Sequence, residues 1–270
     1  MNRHVARVVL LLVLLWGGAV LAAGEGETRF LFVGNSLSYV GNLPAVFDAL
    51  CRANGHAVHS EMLVEGGATL ADRVADSSVR LQLSAARYDY LVLQERGGDL
   101  IGGFGEEARL SSLAATTELT EIARRAGVQP LYLGTYQKLE AFSEQLVAAE
   151  RELSGPLKLR FVPVSSGLVR GLRDYPELAW FARDGQHPGP DLTLLQAVRL
   201  YREVYGALPR EQTLDVVAPI YGISTTFFPP ALASMKALAR EPAADRHHYD
   251  AATVRAVRIL FGRETEETER

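Results

Sequence analysis

Residues 29–38 read RFLFVGNSLS, an apolar run that stops at Gly34 and passes into polar residues. A continuous run of this kind predicts a strand covered on both faces, as in a parallel sheet. In open parallel sheets, ligands bind beyond the carboxyl ends of the strands. Gly34-Asn35-Ser36 is therefore the decisive part of this stretch, because the predicted strand ends there and places a serine at the ligand-binding edge of the sheet.

Four further segments have the pattern of strands, and helical segments alternate with them. The predicted strands are 29–33, 58–64, 88–93, 130–134 and 159–164. Apolar residues at spacings of three and four predict helices that include residues 46–51, 110–122 and 139–153. This alternation predicts an α/β fold, with a parallel sheet and helices on both of its faces.

The C-terminal third of the chain reads as mostly helical. Apolar stripes over residues 194–205 and 254–260 predict two helices, with Asp191 as the N-cap of the first and Gly206 just past its end. The charged segment 263–270 is predicted to be a disordered tail.

The first residues have the layout of a signal peptide. Arg3, His4 and Arg7 precede an apolar run over residues 8–21, and small residues follow it. The pattern predicts a signal peptide over residues 1–23, with cleavage after Ala22 or Ala23. An uncleaved membrane anchor is the alternative. Both interpretations place the predicted domain, residues 24–262, outside the cytoplasm, in the periplasm or secreted.

Composition sets broad limits on function. Of the 270 residues 48% are hydrophobic and 22% are charged, and the formal net charge is −4. This balance gives no reason to expect nucleic acid or anionic lipid as a partner. A single cysteine, Cys51, cannot form an internal disulfide and is predicted to be a small buried apolar residue.

Two more predicted strands end in unusual loops. Gly66-Gly67 follows the second strand, and paired glycines let backbone N–H groups approach a ligand closely. Gln94-Glu95-Arg96 follows the third strand. Gln94 could offer its amide to an oxyanion or be a polar residue satisfied by backbone groups. Glu95 and Arg96 could form a structural ion pair.

The fourth informative loop contains Asp184, Gly185 and His187. An aspartate three residues before a histidine, with a glycine between them, lets both side chains turn toward one point. The carboxylate can then orient the imidazole while the other ring nitrogen faces a serine hydroxyl. His247 and His248 could bind metal, but no other cluster has convincing metal spacing, and neither metal nor cofactor is expected.

Together these blocks resemble the SGNH/GDSL hydrolases. Gly34-Asn35-Ser36 matches the family's Gly-Asp-Ser block, and Asp184 to His187 matches its Asp-x-x-His block. The resemblance spans about residues 29–206 and follows the family's order of blocks. It implies a flavodoxin-like three-layer α/β/α sandwich with about five parallel strands. It also implies Ser36 as the nucleophile, Asp184 and His187 as its partners, and no cofactor.

The resemblance further implies an oxyanion hole. In the family, backbone N–H groups of the serine and a glycine share this role with an asparagine of a Gly-x-Asn-Asp block. Ser36 and Gly67 match the first two. The third block is similar to the Leu-Gln-Glu version of a subgroup, so Gln94 is predicted to supply the amide, with Arg96 as its rival. A second departure is Asn35, which replaces the usual aspartate.

The resemblance implies a serine esterase that acts on a small-molecule or carbohydrate ester, with short acyl groups such as acetyl favoured. Phe227-Phe228-Pro229-Pro230 could line a wall for a longer acyl chain or form a turn on the core. The alternatives are a lysophospholipase-type lipid esterase, an O-acyltransferase and a catalytically inactive binding protein of the same fold. After signal cleavage, no stable membrane insertion is expected.

Overall fold

The computed structural model describes residues 26–235 and 242–268, with side chains described as far as Phe261. The predicted signal peptide, residues 1–23, lies outside the described residues. The predicted tail, residues 263–270, overlaps the end of the last helix and stays a prediction.

Within these described ranges, eight strands form two sheets. They are β1 (Thr28–Gly34), β2 (Val58–Glu65), β3 (Tyr90–Leu93), β4 (Gln129–Leu133), β5 (Arg160–Val162), β6 (Leu214–Pro219), β7 (Thr226–Phe227) and β8 (Ala244–Tyr249). The main sheet has the order β5-β4-β3-β1-β2-β7, and its first five strands are parallel. The parallel part has the flavodoxin-like order, which confirms the predicted fold class.

Nine helices surround these sheets in the described residues. They are α1 (Ser36–Tyr39), α2 (Leu43–Ala53), α3 (Leu70–Ala75), α4 (Ser78–Ala85), α5 (Glu106–Arg125), α6 (Glu140–Leu157), α7 (Ser165–Asp174), α8 (Pro190–Tyr205) and α9 (Ala251–Thr268). The prediction of Asp191 as an N-cap is wrong. Gly189 occupies that position, and Asp191 lies in the first turn, where its carboxylate accepts the Ala179 N–H at 2.6 Å.

Both faces of the main sheet are covered, because alternate side chains of β1 enter two separate cores. Phe30 and Phe32 belong to the core shared with α2, α7, α8 and α9. Leu31 and Val33 belong to the core shared with α3, α4, α5 and α6. All four side chains are at most 1% exposed, so β1 is buried on both faces, as its unbroken apolar run predicts. The three-layer sandwich follows from this arrangement.

The C-terminal third is less helical than its sequence suggests. β6 and β8 form a separate antiparallel sheet, and β7 adds antiparallel to the edge of β2. Covering an edge strand in this way satisfies backbone groups that would otherwise be left unpaired. Phe228, just after β7, is 1% exposed, and the Arg73 guanidinium lies 5.2 Å from its ring centre. Phe228 therefore packs on the core directly after β7, whereas Phe227 is half-buried and Pro230 is exposed.

Two other sequence expectations concern burial and the membrane. Cys51 lies inside the main core and is fully buried, and burial raises the pKa of its thiol, as expected for a small apolar residue. Within residues 26–235 and 242–268, no helix is long and apolar enough to cross a membrane.

Candidate active site

Gly34 and Asn35 bring Ser36 to the carboxyl edge of the sheet. A Cβ on Gly34 would lie 2.4 Å from Ser38 Oγ and 3.2 Å from the Gln94 carbonyl oxygen, so a glycine is needed where β1 passes β3. Asn35 then caps α1, because its Oδ1 accepts the Leu37 N–H at 3.1 Å. Ser36 is consequently the first residue of α1, where backbone N–H groups have no acceptor within the helix.

The loop before α8 brings a histidine and an aspartate to this serine. His187 Nε2 lies 2.9 Å from Ser36 Oγ, across 151 positions of sequence. His187 Nδ1 lies 2.6 Å from Asp184 Oδ2. The bond to the carboxylate favours the tautomer with a proton on Nδ1, which leaves Nε2 as a base facing the serine hydroxyl. The structure thus brings together the three residues singled out from the sequence.

Asp184 is held in its charged form by the loop that carries it. Its Oδ1 accepts the N–H groups of Gln186 at 2.8 Å and His187 at 3.0 Å. These backbone donors, followed by the His187 side chain, lower the pKa of Asp184 to about 2. Gly185 has a φ of 67°, a backbone conformation that favours glycine and turns the chain between the two side chains.

Residues after β4 support the same loop, although their sequence pattern did not indicate this role. The Tyr136 hydroxyl donates to the Gln186 carbonyl at 2.7 Å, and Lys138 Nζ donates to the Gly185 carbonyl. Lys138 Nζ also lies 4.5 Å from the ring centre of Phe181. Only their position in the sequence could have indicated this role, because Tyr136 and Lys138 follow a strand that ends at the ligand-binding edge of the sheet.

Gly67 faces the same cavity as Ser36 and has a φ of 73°. Its neighbours are held on both sides. The Gly66 N–H donates to the Thr225 carbonyl at 3.0 Å, and the Ala68 carbonyl accepts Asn35 Nδ2 at 3.2 Å. Asn35 therefore ties the serine loop to the glycine loop. An ionised aspartate at position 35 could not donate this bond.

The prediction that Gln94 completes the oxyanion hole stays a prediction, and the hydrogen bonds of its side chain are made to neighbouring loops. Its side chain is 1% exposed, and its Oε1 accepts the Ser38 hydroxyl at 2.6 Å. Its Nε2 donates to the Gly134 carbonyl at 3.3 Å. The amide is thus engaged with the ends of β1 and β4, and Gln94 links these loops. The rival, Arg96, does line the cavity.

The suggested ion pair between Glu95 and Arg96 is also wrong. Arg96 pairs with the buried Asp99 through Nε at 3.0 Å and Nη2 at 2.7 Å. Glu95 instead accepts backbone N–H groups, from Leu70 at 3.3 Å and from Arg96 at 3.0 Å. Burial raises the pKa of the Glu95 carboxyl to about 7.

Ser36 and His187 open into a cavity of about 540 Å³. Three apolar side chains at this cavity are markedly solvent-exposed, Phe104 by 55%, Leu139 by 63% and Phe142 by 48%. The Arg96 guanidinium lies 4.2 Å from the ring centre of Phe104 and so orients it. Phe227, Pro229 and Pro230 line a different groove, together with residues of α2, β2 and β6.

The paired histidines of β8 lie in the small antiparallel sheet. His248 Nδ1 lies 3.1 Å from Asp215 Oδ1, and the His247 ring packs edge-on against Tyr249 at 4.4 Å between ring centres. In the part of the chain that the structure describes, no group of three or more histidine, cysteine or acidic side chains could hold a metal ion.

A serine, a histidine and an aspartate in this geometry, at the ligand-binding edge of a parallel sheet, have the arrangement by which Ser-His-Asp sites are recognised. No model of a known protein family matches the sequence, and no curated protein matches it. Several solved structures are similar to this chain.

A proposed SGNH hydrolase from Slackia heliotrinireducens is 22% identical, with a TM-score of 0.55 over 66% of this chain and 99% of its own. An acetyl xylan esterase from Geobacillus stearothermophilus is 17% identical, with a TM-score of 0.52 over 69% of this chain and 98% of its own. The acetyl xylan esterase AlAXEase is 14% identical, with a TM-score of 0.52 over 65% and 99%. The chain therefore has the SGNH hydrolase fold.

Proposed function

We propose that the protein is a serine esterase of the SGNH/GDSL family. The observation that carries this proposal is the pair of contacts made by His187, 2.9 Å to Ser36 Oγ and 2.6 Å to Asp184 Oδ2. This arrangement of Ser36, His187 and Asp184, here called the relay, activates a serine hydroxyl that is otherwise a weak nucleophile. A protein of this fold that only bound ligands would have no use for it.

In the proposed reaction, His187 Nε2 takes the proton of the Ser36 hydroxyl while Ser36 Oγ bonds to the ester carbonyl carbon. The tetrahedral intermediate collapses, the carbon–alkoxy bond breaks, and the alcohol leaves with the proton from His187. Water then attacks the acyl-enzyme and gives a proton to His187. The acid leaves, and Ser36 Oγ recovers its proton. Asp184 stays ionised and stabilises the imidazolium.

The oxyanion is assigned to the backbone N–H groups of Ser36 and Gly67. Both residues border the cavity, and the segment on either side of Gly67 is tied down by Asn35 and Thr225. Fixed donors of this kind need no reorganisation when charge develops on the carbonyl oxygen. Gln94 has no part in this assignment, because its amide is bonded elsewhere.

The proposed substrate is a short acyl ester, such as an acetyl group on a carbohydrate. Two of the similar structures are acetyl xylan esterases, and variants of the Geobacillus enzyme with a serine or an aspartate replaced by alanine are described as catalytic mutants. The 540 Å³ cavity has room for a sugar ring beside Ser36.

One observation favours a second candidate, an esterase for longer acyl chains. Phe104, Leu139 and Phe142 leave an apolar rim exposed at the cavity, and exposed apolar patches often mark binding sites. An acyl chain of about eight carbons would cover this rim and gain about 0.8 kcal/mol for each buried methylene.

Turnover of matched acetyl and octanoyl esters tests the function and the substrate class together. The proposal expects hydrolysis of the acetyl ester that is lost in Ser36→Ala by at least about 10⁴-fold, because the relay then has no nucleophile. A higher kcat/KM for the octanoyl ester would favour the second candidate. Equal turnover by wild type and Ser36→Ala would refute the esterase proposal.

We also propose that the protein works outside the cytoplasm. This rests on the signal-peptide pattern of residues 1–23 in the sequence alone. N-terminal sequencing of the exported protein should begin at Ala23 or Gly24. An intact Met1 in an envelope fraction would support the uncleaved anchor instead.

A further inference from the structure

A single buried carboxylate joins two of the loops that line the cavity. The Leu70 N–H donates to both oxygens of Glu95 at 3.3 Å, and the Arg96 N–H donates to Oε1 at 3.0 Å. Leu70 directly follows the segment 66–69 that contains Gly67. Arg96 belongs to the loop after β3, and Glu95 itself is 1% exposed.

An ionised carboxylate is energetically unfavourable at the position of Glu95. Burial opposes its ionised form, and the negative charge of Asp99 opposes it further. The nearby Arg96 guanidinium is directed at Asp99 rather than at Glu95. A titratable group kept where its surroundings disfavour its charge is typical of functional sites.

The carboxylate acts on one end of a segment that is fixed at other points as well. The Gly66 N–H is bonded to the Thr225 carbonyl, and the Ala68 carbonyl is bonded to Asn35 Nδ2. Glu95 completes this set by holding Leu70. Gly67 lies between these anchors, so the direction of its N–H depends on all three.

We propose that Glu95 is a positioning residue for ester hydrolysis, which fixes the Gly67 segment relative to Ser36 by accepting the N–H groups of Leu70 and Arg96. The inference rests on the proposed function and deepens it. Glu95 does not touch the substrate. Its effect reaches the reaction through the oxyanion donor of Gly67, where a displacement of a fraction of an ångström weakens transition-state stabilisation.

This role makes activity depend on the protonation of Glu95. The groups that act on its carboxyl are Asp99 and both the backbone and the guanidinium of Arg96 from the loop after β3, the Leu70 N–H from α3, the Ser112 hydroxyl from α5 and the Tyr132 hydroxyl from β4. With its pKa raised to about 7, Glu95 takes up a proton below neutral pH. One oxygen then becomes a donor that faces N–H groups, and the segment loosens.

Glu95→Gln tests the proposal, because an amide keeps the shape but has one acceptor oxygen and directs an NH₂ group at the N–H donors. At pH 8, kcat for an acetyl ester should fall by about tenfold or more while KM changes by less than about twofold, as expected for loss of a transition-state interaction. The acid-side fall in kcat near pH 7 that is due to Glu95 should disappear.

Asp48→Asn is the matched control. Asp48 is also a buried carboxyl with a raised pKa. It accepts hydrogen bonds from Arg52 of α2 and Ser60 of β2, away from the cavity. This variant should change stability and leave kcat as in the wild type. A kcat for Glu95→Gln equal to that of Asp48→Asn would overturn the positioning role.

Hydrogen exchange of residues 66–71 separates this inference from the proposed function. Exchange in this segment should be faster in Glu95→Gln than in the wild type, and faster in the wild type at pH 6 than at pH 8 after correction for the intrinsic rate. Unchanged protection would refute the role of Glu95 even if the esterase is active. If Glu95→Gln does not fold, the wild-type comparison at two pH values decides. Absence of Ser36-dependent turnover in the wild type would instead refute the proposed function.

Discussion

At the scale of single residues, Asn35 does two jobs that an ionised aspartate could not combine. Its Oδ1 accepts the Leu37 N–H and caps α1, and its Nδ2 donates to the Ala68 carbonyl. A carboxylate could keep the first bond but would oppose the carbonyl oxygen in the second. The departure from the common Gly-Asp-Ser block thus matches the way this chain holds its glycine loop.

Asn35→Asp should lower stability at pH 8 by about 1–3 kcal/mol, because the Ala68 carbonyl loses its donor and faces a negative charge. The new carboxyl gains from being protonated in the folded state, so its pKa is raised on folding. The loss should therefore shrink as the pH falls and a proton restores a donor. Urea unfolding at pH 5 and pH 8 measures the difference.

Asn54→Asp provides the comparison for this experiment. Asn54 also donates from Nδ2 to a backbone carbonyl, that of Leu50 at 2.8 Å, but it lies at the end of α2 and away from the cavity. Both variants should lose stability, and only Asn35→Asp should lower kcat. An Asn35→Asp protein with the stability of the wild type at both pH values would show that the bond to Ala68 contributes nothing.

The same scale shows what the sequence could and could not predict about the site. Ser36, Asp184 and His187 could be identified because each lies in a short loop whose residue types suit the chemistry, and the structure brings them together. The contacts of Gln94 could not be predicted, because its residue type does not indicate that its side chain bonds Ser38 and the Gly134 carbonyl. A buried amide carries no local sign of whether it serves a loop or a ligand.

At the scale of elements, β4 and α6 hold the loop that carries the relay. Tyr136 follows β4 and bonds the Gln186 carbonyl. One residue earlier, the Thr135 N–H donates to Glu150 Oε1 of α6 at 2.7 Å. The loop of Asp184 and His187 is thus anchored to the sheet through a neighbouring strand end.

Tyr136→Phe should lower kcat by about three- to tenfold, because removal of the hydroxyl frees the carbonyl next to His187 and widens the range of imidazole positions. Tyr201→Phe is the matched control, since the Tyr201 hydroxyl also makes a single hydrogen bond, to His56 at 3.1 Å, far from the cavity. Steady-state kinetics on an acetyl ester provide the measurement. Equal kcat values for the two variants would argue against the anchoring role of Tyr136.

Elements in the last third of the chain show where sequence patterns fail. β8 reads ADRHHY, which has no apolar periodicity, and it is a strand because it pairs with β6. β7 has only two residues and exists as a cap on the edge of β2. Both depend on partners distant in sequence, whereas β1 and β3 are apolar runs that predict their own burial.

At the scale of the whole molecule, buried acids link stability to pH. Burial raises the pKa of Glu95 to about 7 and that of Glu150 to about 8. Each carboxyl therefore holds its proton more tightly in the folded chain than in the unfolded chain. Stability from these groups is fully present below their ordinary pKa and is lost as the pH rises through the folded value.

The free energy of unfolding should accordingly fall between about pH 5 and pH 8, by up to about 1.4 kcal/mol per pH unit for each group, because over this interval the carboxyl is ionised in the unfolded chain and still protonated in the folded chain. Replacing both residues, Glu95→Gln with Glu150→Gln, should flatten this dependence. Urea titrations across the range test it. A wild-type stability that rises with pH over this interval would show that other groups dominate.

The central claim is that Ser36 is a nucleophile activated by His187, and covalent labelling tests it most directly. The purified protein is treated with a fluorophosphonate probe, and the adduct is mapped by mass spectrometry. We predict a label on Ser36 that is absent in Ser36→Ala and that forms at least about 10³-fold more slowly in His187→Ala, because no base then takes the serine proton. A folded wild-type protein that takes up no label, or that labels equally fast without His187, would contradict the account.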